Sequence, residues 1–344
     1  MTRSNVGRAG GGAHMGGSRV VVNEDAPRLY AQRSSIQHWQ LRDLLTVSPN
    51  TGHVYFVQDS TVRRLTPRAP NRSSAVVENY SFLPTCMAID GTVLAAGGQC
   101  SELKVTDVST GAVLFNENVG GLVNNAVHIS THGGETRLLV ANNDETIKVY
   151  ALRENTLRLV ETIQAGTPVN NACVSPDGRW LCVTGDSFSA DVYAVSAAGE
   201  YKLVTNLPYF SDSGMKISWS ANSDKLAIAS QEGCVMVFDV RTWRPLATLY
   251  SKQGACRCVK WAPFGELDLL AFSEHVRHMN IVDTRGDFSA QQTISLTGSA
   301  RETNISGFGF SPDARHLYVG SDAHIFEYQV DVRARLGFPC GELA

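Results

Sequence analysis

Apolar residues in this chain come in short runs that alternate with polar ones, and the runs recur. One unit repeats: an alternating apolar run, a turn rich in Ser, Pro, Asp, Asn or Gly, then a second apolar run. The turns begin near Ser48 (VSPN), Asp90 (IDG), Ser130 (ISTHGG), Ser175 (VSPDG), Ser220 (WSANSD), Ala262 (WAPFG) and Ser311 (FSPDA). Their spacings are 42, 40, 45, 45, 42 and 49 residues. Period-two alternation puts successive side chains on opposite faces of an extended strand. A repeat of about 40–45 residues made of such strands is a propeller blade.

One stretch shows the logic within a unit. Val169 to Val174 reads as the first strand, SPDG as the turn, WLCVTG as the second strand, Asp191 to Val195 as the third and Tyr201 to Thr205 as the fourth. In the turn, Pro fixes φ and Gly accepts a positive φ. The next two units repeat the order: MKISWS, KLAIAS, CVMVFDV and PLATLY, then CRCVKW, LDLLAFS, MNIVDT and QQTISL. No stretch holds a 3.6-residue apolar period over several turns, so the pattern predicts almost no helix. The last unit, with FGFS, HLYVG and HIFEYQV, lacks a fourth strand downstream. The segment Ile36 to Gln40 (IQHWQ) precedes the first strand, LRDLLTV, and is expected to supply it, closing the ring. The chain is thus read as all-β: a seven-bladed propeller over 31–334, a disordered tail over 1–30 and a C-terminal tail over 335–344.

Composition narrows the function classes. Of 344 residues, 43% are apolar and 18% charged, enough to bury a large core. A net charge of −3 argues against nucleic acid held mainly by counterion release. No run of about 18 apolar residues suggests a membrane helix, and the first residues lack the apolar stretch of a secretory signal. The eight cysteines sit mostly inside apolar runs without CxxC pairs. That pattern fits free thiols in the cytoplasm or nucleus better than disulfides or zinc. Cys256 and Cys258, two apart on a strand, would share a face. His275 and His278 read as solvated loop residues.

At Val237 to Val240 (VFDV) and Ile281 to Thr284 (IVDT), the chain resembles WD-repeat proteins where those carry their Trp-Asp dipeptide. The resemblance spans nearly everything after residue 36. Phe238 and Val282 replace the Trp, and the Gly-His signature is largely absent. Trp261 to Ile294 (WAPFGELDLLAFSEHVRHMNIVDTRGDFSAQQTI) is similar to a signature domain of a little-characterised fungal and plant WD-repeat family. That resemblance implies a seven-bladed propeller that binds proteins. Some members are tied to ubiquitin ligases as substrate receptors.

Two features stand out within that frame. Leu226 to Arg241 and Leu270 to Arg285 are matching windows that end in apolar-Asp-x-Arg. They resemble the box by which WD-repeat receptors dock on the propeller adaptor of cullin-RING ligases, with Asp239, Arg241, Asp283 and Arg285 in the docking positions. Guanidinium forks there suit bidentate contact with acceptors; the alternative is that each Arg pairs with its own Asp. The second feature is the repeated Val-Asn-Asn-Ala of Asn124-Asn125 and Asn170-Asn171, at the starts of two first strands. With Lys216, Arg257, Asp144, Asp186, Glu232, Glu274 and His275 they would form a polar funnel for a peptide at the channel mouth; alternatively the amides satisfy neighbouring backbone.

No GxSxG, phosphate-binding loop, HExxH or dinucleotide fingerprint occurs. Arg63-Arg64 lacks the context of a phosphoinositide-binding motif. The expectation is a non-enzymatic scaffold without cofactor or metal, binding proteins or peptides, with a ubiquitin-ligase receptor as the leading reading. A platform subunit of another complex is the alternative, and a propeller enzyme a third.

Overall fold

The computed structural model describes residues 21–69, 74–263, 268–296 and 303–331. Those residues form 28 strands, and no helix occurs among them. The strands assemble into seven four-stranded antiparallel sheets. The innermost strands are Leu45–Val47, Pro84–Asp90, Asn124–His132, Val169–Val174, Gly214–Trp219, Cys256–Trp261 and Ile305–Phe310. Each packs beside its neighbours all the way round, with the seventh against the first. The seven-bladed propeller is therefore as the turn spacing predicts.

Local chemistry explains the turns. In the fourth blade Ser175 Oγ accepts from the Trp180 amide at 3.0 Å and donates to Asp177 at 2.6 Å. Gly178 completes the turn at φ +73°, a conformation that costs glycine little.

The core lies between blades. Phe308, Leu317 and Phe326 of the seventh blade pack with Leu269, Met279 and Ile281 of the sixth. Leu45 and Phe56 of the first pack with Tyr318 and Ile325 of the seventh. Each such side chain contributes about 1.5–3 kcal/mol by leaving water. Because every cluster joins two sheets, that energy holds the ring together.

An N-terminal strand closes the seventh blade, but not the segment expected. Val22–Tyr30, inside the stretch read as a tail, pairs antiparallel with Ile325–Val330. Pro27 and the flanking charges disguise it in the sequence. The register jumps between Asn23 and Arg28, so an irregularity absorbs those residues. Gln292 of the sixth blade accepts from the Val21 and Val22 amides at 2.8 and 2.9 Å and donates to the Val22 carbonyl at 2.9 Å. Tyr30 donates to the buried Glu327 at 2.6 Å. Ile36–Gln40 forms no strand. Residues 1–20 and the predicted tail over 335–344 lie outside the described residues.

Candidate functional site

Antiparallel order decides which loops share a face. Loops between second and third strands, and between one blade and the next, emerge where the inner strands begin, here called the upper face. Loops between first and second strands, and between third and fourth, emerge on the lower face.

Six blades carry the same irregularity on the inner strand. The pairing skips one residue after Pro84, Asn124, Val169, Gly214, Cys256 and Ile305. The bulged residues are Thr85, Asn125, Asn170, Met215, Arg257 and Ser306. Their spacing matches that of the turns, and one step earlier it falls on Asp43. A bulge redirects a side chain, and several of these residues use it to reach the next blade. Thr85 donates to the Asn124 carbonyl at 2.8 Å, Asn125 to Val169 at 2.8 Å and Asn170 to Gly214 at 3.0 Å. Asn171 accepts from the Ile217 amide at 3.2 Å. Asn124 donates to the Glu102 carbonyl and accepts from Asn142, both at 2.8 Å.

All four asparagines are buried and act as staples within and between blades. The two Asn pairs are also one residue out of register: Asn125, not Asn124, corresponds to Asn170. The polar funnel therefore does not have them as open amides. Glu274 is likewise buried and accepts from the Lys252 and Gln253 amides at 2.7 and 3.0 Å. His278, expected in solvent, is buried 3.6 Å from Glu274. Arg257 is buried and donates to Gln231. Asp144 accepts from the Gly121 amide at 2.8 Å and pairs with Lys148. Asp186 accepts from Asn170 at 2.9 Å, and Glu232 accepts from Ser211. His275 is half-buried. These residues lie towards the upper-face ends of their blades, and most of their polar atoms serve the fold.

The lumen holds a cluster that the sequence reading missed. Asp43 Oδ2 lies 2.5 Å from Lys216 Nζ of the fifth blade, and Oδ1 lies 2.8 Å from Lys260 Nζ of the sixth. Burial alone would raise the Asp43 carboxyl, but the two lysines pull it down to about 2. Burial opposes the charge on Lys216 too, yet Asp43 raises its pKa above the ordinary lysine value. His128 is nearby; burial first, then Lys216, pushes it down to about 3, so it is neutral. Burial raises the Cys86, Cys173 and Cys258 thiols to about 12. Cys256 and Cys258 do not share a face in the expected way, because the bulge at Arg257 separates them. Among the described residues, no group of three or more His, Cys, Asp or Glu is placed to hold a metal ion. The one available signal was Asp43 itself, a charge within an apolar run on the repeat spacing.

The lower rim carries the two Asp-x-Arg endings. Arg241 grips its own Asp239 with Nε at 3.1 Å and a terminal nitrogen at 3.0 Å. Arg285 does the same to Asp283 at 3.2 and 2.9 Å. The pairing of each Arg with its own Asp is therefore present in both blades. The side chain of Arg241 is still 84% exposed, and that of Arg285 32%. Beside Arg241, Trp243 packs edge-on against Trp180 at 5.1 Å and Trp219 at 6.4 Å.

Comparison with known proteins fits this geometry. Residues 254–295 match the family model described as an uncharacterised protein domain, DUF2415. An uncharacterised protein of Schizosaccharomyces pombe is 29% identical over 95% of this chain and 97% of its own length. The mouse U3 small nucleolar RNA-associated protein 4 homolog is 31% identical over 33% of this chain and 17% of its own. A chain in the crystal structure of the mitotic checkpoint complex superposes with a TM-score of 0.74 at 15% identity, covering 96% of this chain and 98% of that one.

The chain has the fold of a seven-bladed β-propeller.

The propeller distributes its exposed apolar side chains unevenly. Val76, Val113, Leu159, Leu203 and Leu246 lie on outermost strands. Trp39, Leu83, Leu122, Phe188 and Tyr209 lie in upper-face loops, and Tyr250 ends an outer strand at that face. Trp39 is 70% exposed and Phe188 67%. Among the described residues, no lower-face loop adds a large exposed apolar side chain. The segment bearing Trp39 is tied at Gln37, whose carbonyl accepts from Gln99 of the second blade at 2.9 Å. At its other end, Asp43 anchors it in the lumen. Instead of closing the seventh blade, Ile36–Gln40 lies on the upper face and presents a tryptophan there.

Proposed function

We propose that this WD-repeat propeller is a protein-interaction scaffold that seats a partner polypeptide on its upper face around Trp39 and Phe188. The observation that carries this reading is the concentration of exposed aromatic and aliphatic loop residues on that face. Aromatic anchors of this kind dominate protein interfaces, and contiguous exposed apolar surface marks binding. The anchored Trp39 segment costs little to order on binding. Proteins of similar fold or sequence bear the names of assembly components: a mitotic checkpoint complex, and subunit I of eukaryotic translation initiation factor 3. The unpaired cysteines of the described residues suit the reducing cytoplasm or nucleus. The test is affinity purification of the wild-type chain beside Trp39→Ala/Phe188→Ser. Partners lost from the variant at unchanged melting temperature support the reading; the same partners at the same recovery overturn it.

A second reading concerns the lower rim. There the protein would dock on the adaptor of a cullin-RING ubiquitin ligase and act as a substrate receptor. The exposed Arg241, held rigid by Asp239 beside Trp243, favours it, since an oriented guanidinium loses little entropy on pairing. If Arg241→Ala/Arg285→Ala leaves co-purification with the adaptor unchanged, this reading fails. A stable complex without ligase subunits assigns the scaffold to another assembly.

A further inference from the structure

We propose that the lower mouth of the channel holds a pocket for a short peptide segment of a partner protein, one bearing an apolar side chain next to a carboxylate. This site goes beyond the upper-face reading and does not rest on it.

Three successive blades share one turn form. The sixth has Trp261-Ala262-Pro263, the seventh Phe310-Ser311-Pro312 and the first Val47-Ser48-Pro49. The fourth has Val174-Ser175-Pro176, but its neighbours carry Ile129-Ser130-Thr131 and Trp219-Ser220-Ala221. Only at the sector of blades six, seven and one do three such prolines stand side by side. There, Trp261, Phe310, Val47 and the three prolines line a cavity of about 150 Å³. A cavity of about this volume takes one phenyl ring or a branched aliphatic group. Proline has no N–H and a fixed φ, so the rim is rigid and offers few competing donors.

Lys260 supplies the polar wall of this cavity. Its ammonium meets Asp43 at 2.8 Å and lies 5.7 Å over the Phe308 ring. Asp43 serves Lys216 as well, so two ammonium groups share one carboxylate and the cluster keeps one positive charge. A charge away from bulk water attracts an anion more strongly than a surface charge does. Apolar walls and an uncompensated cation together select an apolar side chain flanked by a carboxylate.

The test is calorimetric titration of the full chain with the acetylated, amidated peptide Gly-Asp-Leu-Gly. Two control peptides replace Leu by Ser or Asp by Lys. Two variants accompany them. Lys260→Met leaves Asp43 balanced by Lys216, and Thr46→Phe fills the cavity from its own wall. The expected result is saturable binding of the first peptide, weakened at least about tenfold by either peptide change and by either variant, a difference of about 1.4 kcal/mol. No saturable binding at millimolar peptide overturns the proposal. So does equal binding of the Ser peptide, or full binding to both variants, which would place the peptide elsewhere.

Discussion

Asp43 of the first blade and Lys216 of the fifth meet across the lumen at 2.5 Å. Neither belongs to the other's sheet, and 173 residues separate them in the chain. The contact fastens the Trp39 segment to the far side of the ring. Replacing Asp43 with Asn leaves two lysines facing each other away from bulk solvent. Unfolding in urea should then need about 2–4 kcal/mol less, the cost of removing one partner from a buried pair. Asp43→Asn combined with Lys260→Met should recover part of that loss, because one ammonium is gone. Equal stability of the single variant and the wild type would mean that the contact adds nothing.

The same carboxylate predicts a pH response. Its pKa is near 2 when folded and about 3.9 when unfolded. The depressed value stabilises the fold above the unfolded pKa, and the gain disappears as pH falls through about 4 towards 2. It amounts to about 2 kcal/mol for one group. Urea midpoints measured from pH 6 down to pH 2 should fall less steeply for Asp43→Asn than for the wild type. Parallel curves would count against the clamp.

The asparagine staples make a separate prediction. Asn125→Ala and Asn170→Ala strip the Val169 and Gly214 carbonyls of their side-chain donors. Each should cost about 1–3 kcal/mol, the penalty for leaving a buried acceptor unmet. Denaturant midpoints measure this directly. A variant as stable as the wild type would return that amide to ligand binding.

Much of the ring was legible because its signals are local. The turn spacing, the period-two runs and the Asp-x-Arg endings of the third strands depend only on nearby residues. The misses have physical causes. Val22–Tyr30 contains Pro27 and several charges, so it lacks the look of a strand, and its partner lies at the other end of the chain. The Asn repeat matches as a string but sits one residue out of register, because the strings are 46 residues apart (124 to 170) while the bulges at Asn125 and Asn170 are 45 apart. The Asp43 cluster joins three blades, and no local pattern reports such a meeting.

Thiol reactivity gives a fourth check. Cys100 is exposed, while Cys86, Cys173 and Cys258 have their pKa values raised to about 12 by burial. At pH 8 such a thiol is a thiolate only about one part in ten thousand of the time. With Cys340, which lies outside the described residues, changed to Ser, a disulfide reagent should titrate one thiol per native chain. Changing Cys100 to Ser as well should abolish that fast phase. Two or more fast thiols would mean that the lumen opens to reagent.

The pairing of Val22 with Val330 has a consequence for the chain as it is made. The ribosome delivers Val22–Tyr30 long before Ile325–Val330. Blades one to six can collapse as they emerge, each on its predecessor, but Val22–Tyr30 stays without its partner until the seventh blade is made, about three hundred residues later. Throughout that interval the nascent ring has two open β-edges, which invite mispairing with other chains. How long those edges stand open during synthesis is therefore set by where one short strand sits.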